Sequence, residues 1–188
     1  MVSIFDKKIK EYGENLRKER EEKRLEKMFN TILNENFKIN DLQKKVLNIE
    51  DKRYIFTTKG KRIGLSTAAS LKALKAAFYN KKVLIVSQYN STARLSEILL
   101  TDLIKPEILR NEFILRNNSL IWRNKSVIDF SSACSEISSI RGHSYDLIII
   151  DELSYLKKDK KERLLKKLEQ YIDHKDGQLI AFNRIGVL

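Results

Sequence analysis

Three continuous apolar runs constrain this chain more than any other feature: residues 82–87 (KVLIVS), 146–151 (DLIIID) and 178–182 (QLIAF). A run without polar alternation belongs to a strand buried on both faces, and such strands occur in parallel sheets covered by helices. The segments between the runs have helical period. Ala68, Leu71, Leu74, Ala77 and Phe78 repeat at helical spacing within 66–79, and Leu164, Leu165, Leu168 and Ile172 do so within 157–173. Residues 91–103 form a further amphipathic helix, with Pro106 beyond it. Residues 53–58 (RYIFTT) are β-branched and aromatic, as a strand requires. Strands alternating with helices predict an α/β fold, a mostly parallel sheet flanked by helices. Residues 112–131 interrupt the alternation with short strands in a meander, turning at NNS and NK.

Ahead of this body, residues 6–35 read as a helix. Its middle, 17–24 (RKEREEKR), has no apolar residue, and Gly13 is expected to interrupt its first turns. Asn40 is placed to cap a short helix over 41–48. The division expected is a charged helical extension, 1–37, and one domain, 38–188. The net charge of +12 is uneven: 1–37 hold nine basic and eight acidic residues, and the remainder carries +11. A basic globular part implies a polyanionic partner, a nucleic acid or a nucleotide. A single cysteine, Cys134, excludes an intramolecular disulfide. The N-terminal residues have no apolar core of a signal peptide, and no window has the length of a membrane helix, so no membrane role is expected. One cysteine, two distant histidines and no G-x-S-x-G leave no metal cluster or nucleophilic triad to propose.

The strand 53–58 runs into KGKRIGLST and then a helix. A phosphate loop needs this succession, because the free N–H groups and dipole of the helix then face the phosphates. Gly60 and Gly64 supply the turn, and Ser66, or Thr67 beside it, supplies the hydroxyl that holds Mg²⁺. The lysine that ordinarily precedes the hydroxyl is replaced by Leu65. Lys59 folding back from the start of the loop, or Lys61 and Arg62, would neutralise the phosphates instead. A glycine turn that only joins a strand to a helix fits the loop equally well.

The run 146–151 ends in Asp151-Glu152, two carboxylates at the carboxyl edge of the sheet, where ligands bind in such folds. There Asp151 would hold Mg²⁺ through water, and Glu152 would orient the attacking water. Arg141, beside Gly142 on the preceding loop, is placed to act as an arginine finger, within the chain or on a neighbouring subunit. Gln43 has an amide able to pair both donor and acceptor with an adenine edge. Asn183, after the last apolar run, could sense the γ-phosphate.

The order of these motifs resembles the ATPase domain of large terminase subunits, the viral DNA-packaging motors, over about residues 40–188. The stretch Gly60-Lys61-Arg62-Ile63-Gly64-Leu65-Ser66 is similar to that family's loop, and Lys59, Arg62, Gly64 and Ser66 match a variant with the lysine moved to the start. Gln43 ahead of the first strand, the Arg141-Gly142 pair, and Asp151-Glu152 match further motifs. The last strand is similar to a coupling motif, although Asn183 stands where Ser or Thr is usual. The resemblance implies a RecA-like P-loop NTPase using ATP and Mg²⁺, an arginine finger acting in trans, double-stranded DNA as a partner, and a homo-oligomeric ring. It also implies a portal or small-terminase-like partner and residence in the cytoplasm of a host cell. The family's nuclease domain has no counterpart in these residues. Two other readings stand beside it: a helicase-like motor fragment, and a nucleic-acid-binding module whose nucleotide site is inactive. A third, assembly through residues 1–37, makes it an interaction protein.

Overall fold

The computed structural model describes residues 4–33, 37–59, 64–123, 125–133, 144–172 and 177–185. Seven strands form one sheet in the order β1-β7-β6-β2-β5-β4-β3. They are β1 (Arg53–Lys59), β2 (Val83–Ser87), β3 (Phe113–Arg116), β4 (Ser119–Trp122), β5 (Val127–Ser132), β6 (Leu147–Asp151) and β7 (Gln178–Ile185). The five strands β1, β7, β6, β2 and β5 are parallel, so their carboxyl ends share one edge. The meander is present as expected: β3 and β4 pair antiparallel, and β4 pairs antiparallel with β5. Asn117 and Asn118, with φ of 40° and 64°, make its tight turn, since two left-handed central residues match the twist of a hairpin.

The apolar runs divide between two cores because successive side chains point to opposite faces. Val83, Ile85, Leu147, Ile149, Ile180 and Phe182 face one core. Leu84, Val86, Ile148, Ile150, Leu179 and Ala181 face the other. The first core is covered by α3 (Leu65–Phe78), with buried residues of α1 (Ile4–Ile32), α2 (Asp41–Leu47) and α4 (Asn90–Leu103). The second is covered by α6 (Lys158–Glu169) through Leu164 and Leu168. Helices therefore lie on both faces of the sheet. The sequence reading missed α5 (Pro106–Glu112): Pro106, taken as lying beyond a helix, opens one, where its missing N–H costs nothing.

Helix α1 runs unbroken through Gly13, contrary to the expected interruption. Added Cβ atoms at Gly13 would meet nothing within 4 Å, so this glycine sits on open surface and costs only propensity. The end of α1 is part of the core. The Phe29 ring stands edge-on to Phe78 with centroids 6.4 Å apart, and Lys105 N–H donates to Ile32 O at 3.0 Å.

Two polar ties fix the segment between α2 and β1. Lys72 on α3 donates to Leu47 O at 2.9 Å and Ile49 O at 2.7 Å, and Gln178 donates to Ile49 O and Asp51 O. Burial, and then the charges of Lys75 and Lys81, push the Lys72 ammonium down to about 8. On the other core, Tyr145 OH donates to Asp129 Oδ2 at 2.7 Å, and burial together with that carboxylate holds the phenol protonated.

Candidate functional site

The site is a consequence of strand order. Strand β7 lies between β1, which leads into the glycine loop, and β6, which ends in the acidic pair. The carboxyl edge thus brings together the end of β1, Asn183, Asp151 and Glu152. Asn183 pairs with Thr57 of β1, and Asp151 stands opposite Ser87 of β2. The last strand was expected to end at Phe182. It continues to Ile185, so Asn183 is held within a parallel ladder on the β1 side.

Glu152 has φ of 75°, in the left-handed region that side chains rarely occupy. Such a backbone costs on the order of 1 kcal/mol and persists where the surroundings impose it. Here the next residue imposes it: Leu153 N–H donates to Phe182 O at 2.6 Å, and the Leu153 side chain is buried in the second core. Asp151 Oδ1 and Glu152 Oε1 are both sealed from solvent. Asn183 Oδ1 is equally buried and accepts no hydrogen bond among the described residues. An acceptor buried without a donor is costly, and it marks a place where a ligand's or water's hydrogen would be favourable.

Gly64 opens α3 in the left-handed conformation, φ 83°, and Ala68 N–H closes the first helical turn on Gly64 O at 2.9 Å. The N–H groups of Leu65, Ser66 and Thr67 precede any acceptor within the helix. Ser66 and Thr67 are half-buried in this first turn. Leu65 is different. Its side chain is 1% exposed and belongs to the first core. With the side chain turned inward, Leu65 has its backbone N–H to offer a nucleotide.

Gln43 is 4% exposed on α2, and its Oε1 accepts the backbone N–H of Asn40 at 2.9 Å. The two-point pairing expected with adenine would draw on the second lone pair of that oxygen and on the amide nitrogen. Lys59 ends β1, opposite Ile185. Gly60, Lys61, Arg62 and Arg141 lie outside the described residues, as does the side chain of Lys59.

Sequence reasoning missed a polar row further along the same edge. Ser132 donates to Asn90 Oδ1 at 2.6 Å, and the Ser87 and Ser96 hydroxyls lie 3.2 Å apart; Ser87 stands in register between Asp151 and Ser132. Serines at the ends of apolar strands are the only signal of this row in the sequence.

The donors fit a hard cation, since Ser66 and Asp151 offer oxygen alone. No group of three or more His, Cys, Asp or Glu among the described residues could hold a metal unaided. An ion with two protein ligands that completes its shell with phosphates and water, as Mg²⁺ does, suits such a set.

Comparison with known proteins places the fold. The crystal structure of the HK97 bacteriophage large terminase matches with a TM-score of 0.61 at 15% identity, over 78% of this chain and 33% of that one. The Thermus phage P74-26 large terminase ATPase domain matches with a TM-score of 0.57 at 18% identity, over 78% and 65%. The N-terminal domain of the DNA packaging ATPase from bacteriophage phi29 matches with a TM-score of 0.58 at 14% identity, over 79% and 81%. The chain thus spans a third of the length of the first and about two thirds of the second. These likenesses show the fold, which is RecA-like. No curated protein matches the sequence. Residues 56–176 match the family described as terminase large subunit, T4likevirus-type, N-terminal, and on that match the chain belongs to the terminase large subunit family, as its ATPase domain.

Proposed function

We propose that this domain hydrolyses ATP with Mg²⁺ and couples the reaction to movement along double-stranded DNA. The observation that carries the reading is the placement of β7 between β1 and β6, which assembles the start of α3, the acidic pair and Asn183 on one edge. Ser66 and Asp151 would hold Mg²⁺, which when bound screens charge on the phosphates. Lys59, with Lys61 and Arg62, neutralises phosphate charge in place of the lysine that Leu65 displaces. The N–H groups of Leu65, Ser66 and Thr67 receive phosphate oxygens. Glu152 accepts a hydrogen bond from the attacking water and orients it. Asn183 responds to loss of the γ-phosphate and passes it along β7. Arg141 acts as an arginine finger, within the chain or across a subunit boundary, and the domain works in a ring of copies with a portal or small-terminase-like partner in a host cell's cytoplasm.

DNA enters the reading through α6. Lys160, Arg163 and Lys167 recur at i, i+3 and i+7 and so share one side of the helix, at the margin of the face that buries Leu164 and Leu168, with Lys160 and Arg163 exposed and Lys167 half-buried. A basic stripe of this kind fits a phosphate backbone.

Burial of Leu65 favours one second reading, a DNA-binding module whose nucleotide site is inactive. Mg²⁺-dependent ATP hydrolysis by wild type, Lys59→Ala and Glu152→Gln, with and without DNA, separates the two. We expect turnover in wild type, and a fall of at least about 100-fold in both variants with folding intact. Full turnover in Glu152→Gln removes Glu152 from its role. Wild type that binds DNA without turnover establishes the second reading.

A further inference from the structure

We propose that Leu153 positions Glu152 by taking over the place in the sheet that Glu152 would otherwise fill, an inference that rests on the reading of Glu152 as the residue that orients the attacking water. Up to Asp151, β6 alternates regularly. Leu147 and Ile149 face the first core, and Ile148 and Ile150 face the second. Asp151 follows on the first side, in register with Ser87, whose hydroxyl meets Ser96 of α4 there. An unbroken strand would then send Glu152 into the second core and return Leu153 to the first. Leu153 is instead buried in the second core, 4% exposed.

The hydrogen bonds agree with the side chains. Strands β6 and β7 pair in parallel with Ile150 opposite Ala181, so an unbroken register sets Glu152 opposite Asn183. In such a ladder an N–H donates to the carbonyl one residue before its partner. The donor to Phe182 O would therefore be Glu152. It is Leu153, at 2.6 Å. Both the side chain and the N–H of Leu153 thus stand where those of residue 152 belong. Glu152 is the extra residue of a bulge, and its φ of 75° is the turn at which the strand absorbs it.

The consequence is chemical. Continued alternation would aim the carboxylate at the apolar second core, beside Val86 and Ile150, where burial disfavours the charged form that a water-orienting group needs. The bulge keeps it off that face and holds it at the carboxyl edge, next in the chain to Asp151. Bulges beside active sites re-aim a side chain in this way. Leu153 is a positioning residue: it acts on the reaction through Glu152.

The test is Mg²⁺-dependent ATP hydrolysis by the full chain, measured as kcat and KM, with thermal melting followed in parallel. Leu153→Ala removes the anchor. Leu153→Val only shortens it, and remains if the first variant fails to fold. Each is made in wild type and in a Glu152→Gln background. We expect Leu153→Ala to lower kcat about 30-fold and Leu153→Val about fivefold, with KM within about threefold of wild type, because misplacing a catalytic group costs rate more than binding. Leu153→Met, which restores the volume, should return kcat to within about threefold of wild type. In the Glu152→Gln background the same substitutions should change kcat by less than about twofold, since the group they misplace is already gone. An equal fall in both backgrounds, or a loss carried by KM, overturns the proposal, because Leu153 then acts on the fold at large. Wild-type kcat in both Leu153→Ala and Leu153→Val overturns it as well. Full turnover in Glu152→Gln alone, or none in wild type, is a different failure: it removes the reading of Glu152 on which the proposal rests, and the proposal with it.

Discussion

Leu65 is the residue at which sequence and structure pull hardest on one another. In the sequence it is a missing lysine, and the natural remedy is to restore it. In the structure its side chain is 1% exposed at the first position of α3, packed into the same core as Ala68, Ala69 and Leu71. A lysine there would bury an ammonium or pull the first turn of α3 off the sheet. We therefore expect Leu65→Lys to destabilise the fold by about 3 kcal/mol in denaturant unfolding, without raising ATP turnover. Leu65→Met, which keeps volume and apolarity, should cost less than about 1.5 kcal/mol. A stable Leu65→Lys variant with faster turnover would mean that a side chain at 65 can swing out to the phosphates, and would return the loop to the ordinary arrangement. The contrast with Gln43 is instructive. Both residues stand out in the sequence because of where they fall in a motif, and both are buried. Burial depends on partners distant in sequence, which a motif does not encode.

At the scale of elements the chain was far more legible. The three apolar runs became β2, β6 and β7 because a strand buried on both faces has little choice of residue. Asn40 became the cap of α2, and the NNS turn became a hairpin, because both are local chemistry. What was not legible has a common cause. Helix α5 is seven residues long with no buried residue, so it has no apolar period to read. The end of β7 and the backbone of Glu152 are set by pairing with β1 and by Leu153 reaching Phe182. The position of β7 between β1 and β6, on which the site depends, is a fact of topology that no segment carries alone. Helix α6 is the element whose exposed side remains to be used. Replacing Lys160, Arg163 and Lys167 together by alanine should leave basal ATP hydrolysis unchanged, since none lies among the proposed site residues. It should weaken binding to double-stranded DNA and lower the slope of log affinity against log salt by about 2 to 3, the value for three lost phosphate contacts. An unchanged slope would place the DNA on another surface.

For the whole molecule, the question is how much of α1 the fold needs. The helix has 29 residues, yet among the side chains described, from Lys7 onward, Phe29 is the first to be buried, with Leu25 packing at the margin of the core. From Lys7 to Arg24 the side chains are exposed apart from half-covered Gly13, and Ile9, Tyr12 and Leu16 are apolar residues among them. At 1.5 Å per residue, these earlier turns extend for about 27 Å. Stability should therefore divide sharply along the helix. Removing residues 1–22 should shift Tm by less than about 2 °C, because no side chain described among them is buried. Phe29→Ala, which empties the space beside Phe78, should cost about 3 kcal/mol and lower Tm by about 6 to 12 °C. The same truncation weighs the reading in which residues 1–37 assemble the protein. If the shortened chain keeps its fold and its nucleotide chemistry but sediments as a smaller species than the full chain, the outer turns of α1 are the assembly element and the motor domain is complete without them. If it sediments as the full chain does, any ring must be built from the faces of the α/β body itself.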